Sequence, residues 1–140
     1  MDKRNVSDEE IKEALTKYRK IAVVGLSPNP DRPSYGVSHY MKSQGYEITP
    51  VRPGNEEILG VQSVESLEKV PGPIEIVDVF RNSDVIPGIV DEAIRVGAKV
   101  LWLQEGVTHP VAEEKARKAG LKVFSNLCIL KEHARLLRRR

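Results

Sequence analysis

The chain has 140 residues, of which 40% are hydrophobic and 30% charged, and this is the composition of one ordinary globular domain. The formal net charge of only +2, from 22 basic and 20 acidic side chains, argues against a nucleic-acid-binding protein. A single cysteine, Cys128, excludes an intrachain disulfide and a cysteine-rich zinc site.

Helix and strand patterns alternate along the first part of the chain. Residues 7–18 predict a short amphipathic helix, with a serine N-cap, acidic first-turn residues and apolar residues at helical spacing. Residues 20–25 are apolar on both faces and rich in β-branched side chains, which is typical of a central parallel strand. A proline-rich loop over 26–33 precedes a helix over 34–42, and a second strand is predicted over 46–51.

The alternation continues after a stretch at 52–70 that we expect to be irregular. A third strand is predicted over 74–80, a helix-like stretch that contains Pro87-Gly88 and runs through 89–94, and a fourth strand over 99–104. The last helix, strand and helix are predicted over 110–119, 121–124 and 128–137. These lengths indicate parallel β-α-β units. We therefore expect one α/β domain over 1–140, Rossmann-like and doubly wound, with a mostly parallel five-stranded sheet and helices on both faces.

In such sheets ligands lie outside the carboxyl ends of the strands, so the loops that follow the strands are the candidate site. The loop after the first strand is the phosphate candidate. A helix that begins near Ser34 would direct its free N–H groups and positive dipole end at an anion, and Arg32 adds a charge. The fingerprint G-x-G-x-x-G is absent, because Ser27 and Pro30 occupy the second and third glycine positions. The alternative is a proline-stiffened connection that binds no ligand.

The end of the second strand discriminates between nucleotides. NAD-binding domains usually carry an acidic residue there, which accepts hydrogen bonds from the ribose. Here Arg52 stands in that region and Glu56 is the first acidic residue after the strand. The sequence therefore disfavours NAD and leaves NADP and coenzyme A, each with an extra phosphate on the adenosine ribose. The alternative for Arg52 is an ordinary surface arginine.

Four ordered segments carry a resemblance to a known family. They are Gly25-Leu26-Ser27 with Pro30-x-Arg32-Pro33-Ser34-Tyr35-Gly36-Val37, then Pro50-Val51-x-Pro53, Asp78-Val79-Phe80-Arg81-x-Ser83 and Val100-x-Trp102-Leu103-Gln104-x-Gly106-Val107. The chain resembles the small CoA-binding proteins, single-domain relatives of the CoA-binding domain of the succinyl-CoA synthetase alpha subunit. The resemblance covers roughly residues 20–133.

The resemblance implies that coenzyme A, free or acylated, binds across the strand ends. The residues that it implies for the site are Gly25, Ser27, Arg32, Pro33, Ser34, Tyr35 and Gly36 for the diphosphate, Val51, Arg52 and Pro53 for the adenosine and its phosphate, Val79, Phe80 and Arg81 for the middle, and Gln104, Glu105 and Gly106 for the pantetheine arm. The family usually has asparagine at position 52, so the Arg52 contact follows from its charge alone.

We expect binding without catalysis. The synthetase subunit has a further domain with a phosphorylated histidine, and this chain ends at Arg140 before such a domain. His39, His109 and His133 lie in separate segments, so neither a catalytic residue nor a metal site is predicted. The sequence leaves open a chemical role for Cys128 or His109, against the plainer roles of a core residue and a helix start.

The expected partners and location follow from the same features. The N-terminus lacks an apolar core of signal-peptide length and no run nears the roughly 18 apolar residues of a membrane span, so we expect a cytoplasmic protein that binds neither membranes nor nucleic acid. An NADP-binding oxidoreductase-like domain and a regulatory subunit, with a protein partner or as a homo-oligomer, are the alternatives. The arginines of the tail are expected to be a solvated, frayed end: Arg135, Arg138, Arg139 and Arg140.

Overall fold

The computed structural model describes residues 6–138. Within that range the helices are α1 Asp8–Lys17, α2 Pro33–Ser43, α3 Ile86–Arg95, α4 Pro110–Lys118 and α5 Ile129–Leu136. The strands are β1 Lys20–Val24, β2 Glu47–Val51, β3 Glu57–Ile58, β4 Val61–Gln62, β5 Ile76–Val79, β6 Val100–Leu103 and β7 Lys122–Phe124. None of these helices is both long and apolar enough to cross a membrane.

The main sheet has the strand order β2-β1-β5-β6-β7, and every neighbouring pair is parallel. The chain adds β2 on one side of β1 and then returns to add β5, β6 and β7 on the other side. The strand order therefore reverses between β1 and β5, as in other doubly wound sheets. The predicted Rossmann-like, five-stranded parallel fold is confirmed.

Helices cover both faces of this sheet, so alternate residues of each strand enter different cores. Ile76 of β5 belongs to a core with α1, α2 and α5, whereas its neighbour Val77 belongs to a core with α3 and α4. All four residues of β5 and of β6 are buried. Burial on both sides is the reason that these strands, apart from Asp78, are apolar and show no alternation.

The stretch 52–70, expected to be irregular, contains the antiparallel hairpin β3–β4 and a short 3-10 turn. The hairpin turn has positive φ at Leu59 (54°) and Gly60 (78°). Such two-residue turns favour asparagine or glycine at the first position. Because leucine stands there instead, the sequence carries no hairpin signature.

Helix α3 begins at Ile86, so Pro87 and Gly88 lie inside the helix as predicted, with Pro87 in its first turn. Proline is tolerated there, since the first N–H groups of a helix have no intrahelical partner. The expected frayed tail is wrong for Arg135. Its guanidinium lies 2.8 Å from Asp8 of α1 and 2.6 Å from Glu132, and so ties the last helix to the first. Arg138 is exposed, and Arg139 and Arg140 lie outside the described residues.

Candidate functional site

A cavity of about 650 Å³, here called the carboxyl-end cavity, opens at the carboxyl ends of β1, β5 and β6. It lies beside the reversal of strand order, where ligands bind in doubly wound folds. Its lining residues come from the loops after four strands and from the starts of α2 and α5: Gly25, Ser27, Arg32, Pro33, Ser34, Val37, Arg52, Phe80, Arg81, Asn82, Gln104, Glu105, Val107 and Cys128.

A second hollow of about 560 Å³, here called the amino-end hollow, lies at the opposite edge of the sheet. It is lined by residues of α1 and of the α4–β7 connection together with the starts of β6 and β7, including Glu10, Lys17, Arg117, Gly120 and Lys122. Two of its basic groups are paired: Lys122 lies 2.9 Å from Glu10, and Arg117 lies 3.4 Å from Glu113, which stands outside the hollow.

Gly25 forms the sharp turn that ends β1 and opens the carboxyl-end cavity. Its φ is +89°, and a Cβ at this position would lie 2.7 Å from the Phe80 carbonyl oxygen and 2.8 Å from Arg81 Cδ. Only glycine meets both requirements, a positive φ and the close approach of the neighbouring chain. The Arg81 side chain can therefore lie against the backbone of the first loop.

The rest of the first loop is held by short-range hydrogen bonds. The backbone N–H of Ser27 donates to Ser34 Oγ at 2.9 Å, and that of Asn29 donates to Ser27 Oγ at 3.0 Å. The N–H of Asp31 donates in turn to Asn29 Oδ1 at 2.9 Å. Together with the prolines these bonds fix the loop conformation, so little conformational entropy remains to be lost when a ligand binds.

The start of α2 forms one wall of the cavity. Arg32 is the N-cap residue but its side chain makes no capping hydrogen bond, and Pro33 occupies the first turn. The first turn of α2 therefore has no side-chain cap, and its dipole places partial positive charge at this wall. The arrangement is suited to an anion.

Three arginines add full positive charge to the cavity. Arg52 spans from β2 to the first loop, donating from Nη1 to the Leu26 carbonyl at 3.3 Å, with Glu56 3.5 Å from its Nε. Arg32 and Arg81 form no ion pair with any residue in 6–138. Unpaired arginines that share one cavity with a helix start give it a positive potential.

Asp78 and Gln104 form a buried polar pair at the ends of β5 and β6. Gln104 Nε2 donates to Asp78 Oδ1 at 2.5 Å, and the two residues are 5% and 1% exposed. Burial raises the pKa of Asp78 to about 7, against a smaller lowering by the hydrogen bond from Gln104. Gln104 lines the cavity, so this pair connects the core to the site. Sequence reasoning gave Asp78 no role.

Cys128 lines the cavity at the start of α5. Burial raises the pKa of its thiol, more than the N–H groups of Lys131 and Leu130 lower it, so the thiol is protonated at neutral pH. His109 instead caps α4: its Nδ1 accepts from the Ala112 N–H at 3.1 Å. The geometry thus gives His109 a structural role, and burial makes the Cys128 thiol less acidic than an ordinary cysteine.

The structure brings many of the predicted site residues together. Those that line the cavity are Gly25, Ser27, Arg32, Pro33, Ser34, Arg52, Phe80, Arg81, Gln104 and Glu105. Four further lining residues were not predicted: Val37, Asn82, Val107 and Cys128. Val37 stands one residue beyond the predicted loop segment and Asn82 directly follows Arg81, so extending each segment by one residue would have included both.

The other predicted residues do not line the cavity: Tyr35, Gly36, Val51, Pro53, Val79 and Gly106. Val51 and Val79 are buried in the α3–α4 core, because successive strand side chains point to opposite faces. Tyr35 packs against the other core. Gly36 and Pro53 are exposed, and the Gly106 N–H donates to Asn126 Oδ1 at 2.7 Å.

The parallel sheet, with a cavity beside its strand reversal, defines a Rossmann-type domain, and the charge of the cavity makes it a candidate site for an anionic ligand. Residues 19–134 match the family described as CoA binding domain. The chain belongs to that family.

The chain is 46% identical to the uncharacterized protein YneT of Bacillus subtilis, over 94% of this chain and 97% of that protein. It is 28% identical to the alpha subunit of an ADP-forming acetate–CoA ligase II of Pyrococcus furiosus, over 84% of this chain but only 29% of the subunit. A solved structure of a hypothetical protein from Pyrococcus horikoshii superposes with a TM-score of 0.92 at 42% identity, over 96% of this chain and 94% of that one.

Proposed function

We propose that the protein binds coenzyme A or acyl-CoA in the carboxyl-end cavity, as a cytoplasmic protein without catalysis of its own. The observation that carries the proposal is the pair Arg32 and Arg81, which share the cavity and have no carboxylate partner within 6–138. Coenzyme A presents a diphosphate and a ribose phosphate, and charge-assisted contacts to phosphate are among the strongest hydrogen bonds.

The lining residues suggest which part of the cavity would hold the phosphates of the ligand and which would hold its less polar arm. Arg32, Arg81 and the start of α2 would hold the diphosphate, and Arg52 would hold the ribose phosphate. Phe80 and Val107 offer apolar surface near Gln104, which suits the pantetheine arm. The family membership supports the same ligand. The ligase relative supports binding alone, since the shared part is less than a third of that subunit.

A thermal-shift assay with coenzyme A, NADPH and NAD+ tests the proposal. A ligand that binds only the folded state adds about 2.7 kcal/mol at 100 times its dissociation constant, which raises Tm by roughly 6–11 °C in a domain of this size. We expect coenzyme A to give this shift and NAD+ to give none. A shift with NADPH alone would favour the NADP alternative, and the absence of any shift with coenzyme A would end the proposal.

A further inference from the structure

Phosphate binding does not explain the buried pair Asp78 and Gln104. A carboxyl group and a carboxamide are costly to bury unless their hydrogen bonds are made. Gln104 nevertheless stands at the ligand edge of the sheet, and it lines the cavity while its side chain is held from behind by Asp78. The pair therefore presents a fixed polar group to whatever occupies the cavity.

The direction of the hydrogen bond fixes the orientation of the Gln104 carboxamide. An ionised carboxylate only accepts hydrogen bonds, so Nε2 of Gln104 must face Asp78, and Oε1 lies on the other side. Within 6–138 the fully buried side-chain oxygens that form no hydrogen bond are the hydroxyl groups of Ser38 and Ser63. Gln104 Oε1 is not among them, and no described residue donates to it, so it is an acceptor open to the cavity.

We propose that Gln104 Oε1 accepts a hydrogen bond from an amide N–H of the ligand, and that Asp78 is the positioning residue that turns the carboxamide for this role. This inference rests on the proposed function, since the pantetheine arm of coenzyme A carries two secondary amides. The nucleotide end has no secondary amide. Gln104 therefore recognises the arm, while the arginines recognise the phosphates.

Protonation of Asp78 removes the constraint on Gln104. A protonated carboxyl group can donate to Oε1, and the carboxamide can then turn Nε2 toward the cavity. A ligand N–H would in that state meet a donor instead of an acceptor. Burial raises the pKa of Asp78 to about 7, so the change of orientation falls between mildly acidic and mildly basic pH.

Asp78 is the group whose protonation state decides the orientation of the Gln104 carboxamide, and its surroundings can be named. Strands β1 and β6 place the uncharged Val23 and Trp102 beside it. Among the described residues, the titratable or charged groups on this side of the sheet and around the cavity include Tyr18, Tyr35, Tyr40 and Tyr46 of the core, Cys128, Glu132 and His133 at α5, and Arg32, Arg52, Arg81 and Glu105 of the loops. Burial raises the pKa of the Cys128 thiol and lowers that of His133. Any effect of His133 protonation on ligand affinity is the same in wild type and in a variant at position 78, so it cancels when the two proteins are compared.

Calorimetric titration of the full chain tests both halves of the proposal. Coenzyme A and adenosine 3′,5′-bisphosphate, which lacks the arm, are titrated into wild type, Gln104→Met and Asp78→Asn. At about pH 8 we expect Gln104→Met to weaken coenzyme A binding about five- to tenfold, the size of one neutral hydrogen bond, and to leave bisphosphate binding unchanged.

The pH dependence separates positioning from a merely structural role. Between about pH 8 and about pH 5.5 we expect the affinity of wild type for coenzyme A to fall about threefold or more relative to Asp78→Asn, with no such change for the bisphosphate. Titration of the ligand phosphates cancels in this comparison, because both proteins bind the same ligand.

Each possible result supports or contradicts the role proposed for Gln104 and Asp78. Equal coenzyme A affinity for wild type and Gln104→Met, or a ratio of wild type to Asp78→Asn that is independent of pH, overturns the inference and leaves the proposed function intact. If wild type binds neither ligand, the proposed function fails and the inference fails with it. If circular dichroism shows that Asp78→Asn does not fold, the comparison of the two ligands on Gln104→Met decides alone.

Discussion

The two ends of the sheet carry hollows of similar size, about 650 Å³ at the carboxyl end and about 560 Å³ at the amino end. Both are rich in charged side chains. In the amino-end hollow Lys122 lies 2.9 Å from Glu10 and the one lining arginine among the described residues, Arg117, lies 3.4 Å from Glu113, while Lys17 and Lys99 form no ion pair within 6–138. In the carboxyl-end cavity Arg32 and Arg81 have no carboxylate partner among the described residues. The two hollows therefore differ in the pairing of their arginines and in the helix start that stands beside Arg32, and not in volume or composition.

The direction of the chain adds to this difference. In a parallel β-α-β fold each helix that follows a strand begins at the carboxyl edge of the sheet, so positive dipole ends collect there. The amino edge receives the ends of helices, where Lys17 of α1 and Lys118 of α4 stand in last turns. An anionic ligand is therefore favoured at one edge of this fold, before any particular side chain is considered.

Matched glycine substitutions at the two ends should differ most. Gly25→Ala would place a Cβ 2.7 Å from a backbone oxygen at φ +89°, and we expect a loss of about 3–5 kcal/mol in the free energy of unfolding. Gly120→Ala, in the amino-end hollow, has φ +99° but nothing within 4 Å of its Cβ, so only backbone strain of about 1–2 kcal/mol applies. Urea denaturation measures both. Equal losses would show that the close approach at Gly25 is unimportant.

The buried carboxyl group gives the carboxyl end a distinctive pH dependence. The pKa of Asp78 is raised from 3.8 to about 7, so the folded chain keeps a proton that the unfolded chain releases above about pH 4. The free energy of unfolding should therefore fall as pH rises from about 4 to about 7, and stay level above that. Asp78→Asn removes this dependence, and we expect it to stabilise the protein at about pH 8 by roughly 2–4 kcal/mol. Urea denaturation of both proteins across this range is the measurement, and parallel profiles would contradict the assignment.

Arginine substitutions test the difference in pairing directly, with a smaller effect. We expect Arg32→Ala and Arg81→Ala each to weaken coenzyme A binding about tenfold, the size of one charge-assisted contact. Arg117→Ala, in the amino-end hollow, is the matched control and should leave the affinity unchanged. Isothermal titration at low and high salt provides the measurement, and an equal effect of all three substitutions would indicate attraction by net charge instead of a site.

Much of the site was predictable because its residues are local in sequence. The first loop is recognisable in the sequence from Gly25 at a strand end, from the prolines and from Arg32 directly before a helix. Val51 and Val79 were predicted to contact the ligand and instead enter the α3–α4 core. Position at a strand end identifies the correct edge of the sheet, but the face to which a side chain points depends on the phase of the strand. When both faces of a strand are buried, apolar and polar residues do not alternate along it, so the sequence does not show which residues point to which face.

The sequence by itself determined the order of the helices and of the five main-sheet strands, the parallel sheet and the loops at its ligand edge, because propensity, apolar patterning and turn residues act over a few neighbouring positions. The tertiary structure alone decided that Asp78 faces Gln104, 26 residues away, and that Cys128 joins the same cavity. It also decided which arginines remain unpaired. These facts depend on which strands become neighbours and in what register, and no local pattern records that choice.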